Sequence, residues 1–263
     1  MNTGNDRHAG ETGPSYGPLS GCVALVTGAS SGIGAATAVA LARQGADLAV
    51  VARRTERLED LAATARKEGR SCAVLTADLR DTAQARRCVE DAVEQCGRLD
   101  VLVNNAGSVA PGKVEEGDPE GWERMLDLNV RTVLHTSQQA LPHLLRTASD
   151  GPRGVADVVN VSSVAGRLAR PGNGVYSATK HAVGAMSEAM RQEVTARGVR
   201  VGLIEPGMVA TELTTDSAIA AAGRGMPRES WLHPEDIARA LVFLCSAANG
   251  AITGETLTLA GRR

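Results

Sequence analysis

The stretch Val23-Ala24-Leu25-Val26-Thr27-Gly28-Ala29-Ser30-Ser31-Gly32-Ile33-Gly34 decides the fold. Val23 to Thr27 is a short apolar run of the kind that forms a buried parallel strand. Three glycines follow at Gly28, Gly32 and Gly34, and a helical pattern runs from Ile33 to Gln44, with Gly45 placed to close it. Glycine lets the backbone turn sharply and lets a phosphate come close, while a helix N-terminus offers free N–H donors and positive potential. A plain tight turn uses the same glycines. The strand–turn–helix setting instead predicts a pyrophosphate cradle built from Gly28, Ser30, Ser31, Gly32, Ile33 and Gly34.

Working outward, short β-type runs alternate with longer helical patterns from Cys22 to Leu259. The further strands are expected at Asp47 to Ala52, Cys72 to Leu75, Val101 to Asn104, Val158 to Val161, Val201 to Ile204 and Thr256 to Leu259. A second clear helix is expected from Gly174 to Ala196, closed by Gly198. This alternation predicts an α/β fold, a doubly wound (Rossmann) seven-stranded parallel sheet with helices on both faces. Residues 21–263 read as a single domain, and residues 1–20, polar and glycine-rich, as a disordered N-terminal extension. The segment Leu213 to Trp231 follows a strand and reads as a substrate lid at the carboxyl edge of the sheet.

Composition excludes several function classes. The 263 residues carry a formal net charge of -2 and only 2% aromatics, so neither a nucleic-acid surface nor a base-stacking platform is expected. No run is long and apolar enough to span a bilayer. The five cysteines, Cys22, Cys72, Cys88, Cys96 and Cys245, are scattered without a CxxC pair. They suggest no disulfide framework and no metal site, and a reducing, cytoplasmic setting fits them.

The second strand ends at Ala52, followed by Arg53 and Arg54. A dinucleotide site that prefers NAD(H) places an acid at the end of this strand, to hold the ribose 2′-hydroxyl. Here two guanidiniums follow an alanine, and each can make charge-assisted bonds of ~1.5–3 kcal/mol to a 2′-phosphate. Two solvated arginines heading a helix near Thr55 are the alternative, although Arg is mildly unfavourable at a helix N-terminus. The expected cofactor is NADP(H), preferred over NAD(H).

Tyr176 and Lys180 stand four residues apart on a predicted helix and rise from one face. A phenol, with a pKa of about 10, is a poor acid near neutral pH, and a neighbouring ammonium lowers that value. Such a Tyr exchanges a proton with a ketone or alcohol oxygen. Alone, the spacing also fits a solvated helix face.

Together these pieces resemble the short-chain dehydrogenase/reductase family in its common one-domain form, from about Gly21 to Leu259. The motifs stand in the family's order: Thr27 to Gly34, Asn104-Asn105-Ala106-Gly107, Asn129, Ser162-Ser163, Tyr176 to Lys180, and Pro206-Gly207 with Thr211. The resemblance implies Tyr176 as acid/base, with Lys180 tuning it and holding the nicotinamide ribose. It implies Ser163 on the substrate oxygen and Asn129 in a proton relay behind the lysine. Asp78 and Leu79 would border the adenine, and Asn105, Ala106 and Gly107 the adenosine ribose side. Pro206, Gly207 and Thr211 would hold the carboxamide. A homotetramer or homodimer is also implied. The C-terminal Leu259-Ala260-Gly261-Arg262-Arg263 lacks the family's usual acid and two glycines, and Ser31 stands where relatives that use NADP often carry a basic residue.

The runs Ala140 to Arg146 and Arg191 to Thr195 resemble bacterial NADPH-dependent aldehyde and ketone reductases. The expected substrate is therefore a small carbonyl compound or alcohol. Its walls are expected from Ser108 to Lys113, Val164 to Arg170 and Met208 to Ala210, with Lys113, Arg167, Arg170, Arg224 and Arg228 as candidate charged contacts. Reduction of a 3-oxoacyl thioester on a carrier protein is the alternative within this chemistry. A non-catalytic NADP(H)-sensing regulator is the alternative of a different class, and the Asn129, Ser163, Tyr176 and Lys180 set argues against it.

Overall fold

A computed structural model describes residues 17–151, 153–214, 227–246 and 251–261. Seven parallel strands form one sheet in the order β3-β2-β1-β4-β5-β6-β7. They are β1 (Val23–Thr27), β2 (Asp47–Ala52), β3 (Cys72–Thr76), β4 (Val101–Asn104), β5 (Ala156–Val161), β6 (Val199–Pro206) and β7 (Thr256–Leu259). β5 and β6 begin earlier than their apolar runs because Asp157 and Arg200 stay in the ladder, where they pair with each other. The order reverses at β1, which pairs with β2 on one side and β4 on the other.

Seven α-helices cover the sheet: α1 (Gly32–Arg43), α2 (Thr55–Lys67), α3 (Thr82–Cys96), α4 (Pro119–Leu126), α5 (Thr132–Asp150), α6 (Gly174–Val194) and α7 (Pro234–Cys245), counted among the described residues. Their starts carry the expected chemistry. Asp81 accepts from the N–H groups of Ala83 and Gln84, and Asp118 caps α4 with Pro119 at its first position. Gly198, at φ 82°, ends the short turn that follows α6.

The core divides into two apolar layers, one on each face of the sheet. Ala24, Val26, Leu48 and Val50 pack with Leu41 of α1, Leu58 of α2 and Ile237 of α7. The alternate residues Leu25, Ala49, Val51 and Leu102 pack with Val89 of α3 and Leu144 of α5. Strands buried on both faces explain the near-continuous apolar runs in the sequence. No helix among the described residues is long and apolar enough to cross a membrane.

The expected boundary at Gly21 falls too late. Residues 17–20 form a turn in which Leu19 is fully buried and its N–H donates to Gln44 O (2.9 Å). A Cβ at Gly17 would lie 2.3 Å from Gln44 O. The apolar side chain of Leu19, hidden in a polar stretch, is what ties this turn to the core. Residues 1–16 of the expected extension lie outside the described residues, as do residues 215–226 of the expected lid.

Leu19→Ala should destabilise the fold by about 2–4 kcal/mol, the cost of a cavity under a fully buried leucine. Urea unfolding monitored by circular dichroism measures it, and an unchanged midpoint would place Leu19 outside the cooperative unit.

Candidate active site

The cleft lies where the strand order reverses, at the carboxyl ends of the strands, as expected for open α/β sheets. Thr27 organises its floor. Its Oγ1 donates to Val103 O (3.2 Å) and accepts from the N–H groups of Asn105 (2.9 Å) and Ala106 (3.0 Å). Asn105 Nδ2 in turn donates to Thr27 O (2.9 Å). The turn after β4 is thereby locked against the glycine loop after β1.

The glycines differ in role. Gly28 (φ 67°) and Gly32 (φ 54°) hold backbone angles that favour glycine and line the cleft. Gly34 is buried below the cleft, and a Cβ there would lie 2.4 Å from Gly28 O. It makes room for the loop and does not itself line the cleft. The loop brings Gly28, Ser30, Ser31, Gly32 and Ile33 and the N-terminus of α1 to the wall of the cleft, so these residues fit a dinucleotide.

The expected adenosine residues converge. Arg53, Arg54, Asp78 and Leu79 line the same cleft of about 650 Å³, with Ala106 and Gly107. Arg54 donates through Nε and Nη2 to Ser30 Oγ (3.2 and 3.1 Å), and through Nη1 to Glu212 Oε2 (2.8 Å). Asp78 is held by Arg80, whose hydrogen bonds keep the carboxyl below its ordinary range. A larger groove of about 1480 Å³ between α1, α2 and α7 touches this cleft at Ser30 to Gly32 and carries none of the reactive side chains.

At the other end, Ser163 leaves β5 and Tyr176 rises from the first turn of α6. Both side chains line the cleft, and Ser163 Oγ donates to Pro206 O (3.4 Å) and accepts from Ala165 N–H (3.1 Å). Lys180 sits one turn below Tyr176, buried, with Nζ donating to Val161 O (3.0 Å) and 5.8 Å from the phenol ring centre. A Cβ at Gly107 would lie 3.7 Å from Nζ. Pro206, Gly207 and Thr211 line the opposite wall.

Asn129 does not reach the cleft. It is buried behind it, on a π-helical turn (Asp127–Arg131) between α4 and α5. Its Oδ1 accepts from Ser108 N–H (2.8 Å), and its Nδ2 donates to Ser108 O (3.0 Å) and Thr179 Oγ1 (3.1 Å). Thr179 Oγ1 donates to Tyr176 O (2.7 Å). Asn129 thus joins the turn after β4 to the backbone of the tyrosine. A π-turn is a frequent mark of a functional position, and nothing in the local residue pattern signals it.

The titration of the pair departs from the expectation for Tyr176. Burial pushes its phenol above the ordinary value of 10, and only the nearby Ser163 side chain pulls the other way. Burial also lowers Lys180, from the ordinary 10.5 to about 8. The ammonium lies under the ring and points to Val161 O, so its charge does not offset the desolvation of the phenol.

Several expected substrate contacts are engaged elsewhere. Arg167 pairs with the buried Glu205, Lys113 with Glu115 and Glu116, and Arg228 stacks on Trp231. Arg170 is exposed, and Arg224 lies outside the described residues. Val164 to Arg170 do not line the cleft. Val109, Ala110, Leu128, Val209 and Leu213 do, together with Arg124, which no local residue pattern singles out. Among the described residues no group of His, Cys, Asp and Glu side chains could hold a metal ion.

A dinucleotide-type crevice with a Ser–Tyr–Lys constellation at its mouth defines an oxidoreductase of the doubly wound α/β class. The short chain dehydrogenase family model matches residues 22–221, and the chain belongs to that family. It is 40% identical over 230 residues to a glycine betaine reductase of Emericella nidulans; the match covers 86% of this chain and 18% of that protein. Carveol dehydrogenase from Mycobacterium avium, solved with NAD, superposes with a TM-score of 0.85 at 28% identity, covering 93% of this chain and 98% of the other. A short chain dehydrogenase from Burkholderia cenocepacia, solved with NADP, gives 0.84 at 30% identity with the same coverage.

Lys180 supplies a pH test. Below about pH 8 its ammonium is charged in the folded and the unfolded chain, and its burial opposes folding. Between about pH 8 and 10.5 the folded chain releases the proton first, so this penalty fades with rising pH. Relative to Lys180→Met, the parent protein should therefore gain stability on the order of 3 kcal/mol from neutral pH to about pH 10.5. Urea unfolding of both proteins at several pH values measures the difference. A constant difference would mean that Lys180 is not depressed.

Proposed function

We propose that the protein moves a hydride between NADP(H) and a carbonyl compound or the corresponding alcohol, with Tyr176 as the acid/base. The observation that carries this reading is the meeting of Tyr176 and Ser163 on one wall of the cleft, with Lys180 buried one helical turn below. The cofactor supplies the hydride when bound; the protein's task is to hold the substrate oxygen and manage its proton.

In this reading, Ser163 donates to the substrate oxygen and polarises the C=O bond. Tyr176 gives its proton to the same oxygen in the reductive direction and takes it back in the oxidative one. A phenol raised by burial keeps its proton near neutral pH, which supports reduction as the working direction. Lys180 and the Asn129–Thr179 bonds hold the tyrosine's helix turn against the turn after β4. Gly28 to Ile33 bind the diphosphate, Asp78 and Leu79 flank the adenine, and Pro206, Gly207 and Thr211 hold the carboxamide end.

Two features support NADP(H) over NAD(H). No acid ends β2, where Ala52 stands, and the Arg54 guanidinium is already drawn onto the glycine loop by Ser30. The apolar lining from Val109, Ala110, Leu128 and Val209 favours an uncharged ketone or aldehyde. A carrier-bound thioester is less well served, because Arg124, which lines the cleft, is neutralised by neighbouring carboxylates.

Oxidation of NADPH, followed at its absorbance across a carbonyl panel, tests the reading. Tyr176→Phe should lower turnover by about 10²–10⁴-fold, the range for losing a positioned acid. Undiminished turnover in that variant, or no turnover on any carbonyl by the parent, would sink it. Joint replacement of Arg53 and Arg54 by Ala should weaken NADPH about tenfold or more while sparing NADH, as loss of one charge-assisted bond already predicts. Equal weakening of both cofactors would refute the phosphate role.

A further inference from the structure

The two walls of the cofactor cleft meet at one carboxylate that no local residue pattern singles out. Glu212 opens the short turn Glu212–Thr214 after β6. Its Oε2 accepts from Arg54 Nη1 at 2.8 Å, and its Oε1 lies 3.8 Å from Arg57 Nη2. Arg54 reaches back from there to Ser30 in the glycine loop. Thr211, the residue before Glu212, packs so close to Gly32 that a Cβ there would lie 3.0 Å from its methyl group. The glycine loop, the β2–α2 corner and the segment after β6 therefore converge on Arg54 and Glu212. Neither the end of β2 nor the glycine loop carries an acid, so tertiary structure alone brings a carboxylate to this arginine.

We propose that Glu212 is a specificity-determining residue, an internal carboxylate that occupies the outer donors of Arg54 and competes with the 2′-phosphate of NADP(H). The inference rests on the assignment of Arg54 to that phosphate. A phosphate monoester carries close to two negative charges near neutral pH, and a carboxylate on the same guanidinium repels it. Glu212 is an anion under these conditions, because its bond to Arg54 holds the carboxyl below its ordinary range. Both side chains are about half exposed, 45% for Arg54 and 53% for Glu212, so the pair is weak enough for a ligand to displace. The carboxylate thus tempers the preference for NADP(H) over NAD(H) without abolishing it. The two arginines set the sign of the preference, and Glu212 sets its size.

The test is calorimetric titration of the full-length protein with adenosine 2′,5′-bisphosphate and with 5′-AMP, which differ only in the contested phosphate. Glu212→Gln should bind the bisphosphate about threefold or more tightly, with 5′-AMP nearly unchanged, as expected for release of an exposed charge pair. Arg54→Ala should weaken the bisphosphate alone. Thermal melting checks that each variant is folded. Loss in Arg54→Ala without gain in Glu212→Gln would overturn the competition while leaving the phosphate assignment standing. Equal affinity of Arg54→Ala and the parent for the bisphosphate would overturn both.

Discussion

One hydroxyl stands where the sheet changes direction. Thr27 ends β1, and its Oγ1 bonds to Val103 O of β4 and to the N–H groups of Asn105 and Ala106 just beyond. β1 is the last strand of the half that runs out to β3, and β4 the first of the half that runs out to β7. The connections from these two strands leave in opposite directions, which opens a crevice between them. The Thr27 bonds fix its floor. The glycine loop sits on one side of it and the turn carrying Gly107 and Ser108 on the other, so every group assigned to cofactor or substrate is placed relative to this junction.

The geometry at the Tyr176 end of the cleft is then built by burial at an energetic cost. Lys180 is almost fully covered, with one carbonyl partner, and its pKa falls to about 8. Tyr176 moves the opposite way for the same reason, since a low-dielectric setting disfavours both charged forms. What the protein supplies at this site is position. α6 aims the phenol at Ser163, and Asn129 on its π-turn ties the tyrosine's backbone to the wall of the cleft. Desolvation of this kind opposes folding and is offset by the two apolar layers elsewhere in the domain.

The fold was largely legible in the amino-acid order. Apolar runs bounded by turn residues placed the seven strands, most plainly the inner ones such as β1 and β4, which are covered on both faces. The misses have local causes. Asp157 and Arg200 interrupt the apolar pattern at the starts of β5 and β6, yet remain in the ladder because each neutralises the other. Leu19 sits alone in a polar stretch, and a single apolar residue has no periodicity to read. At the site, Ser163, Tyr176 and Lys180 were legible because their spacing is set within one strand end and one helix. Glu212, Arg80 and Arg124 were not, since each gains its meaning from a partner or a cavity that linear order does not show.

Sequence by itself determined the element order, the glycine loop with its helix, the absence of an acid after β2, and the Tyr–Lys register on α6. Those features depend on contacts over a few residues, where backbone propensity and side-chain period act directly. Tertiary structure alone decided that Asn129 lies behind the cleft, that Gly34 makes room for the loop, that the buried phenol is raised rather than lowered, and that Glu212 reaches Arg54. Each of these depends on groups tens of residues apart meeting in a shared low-dielectric space, and charge and packing there follow from distance in three dimensions.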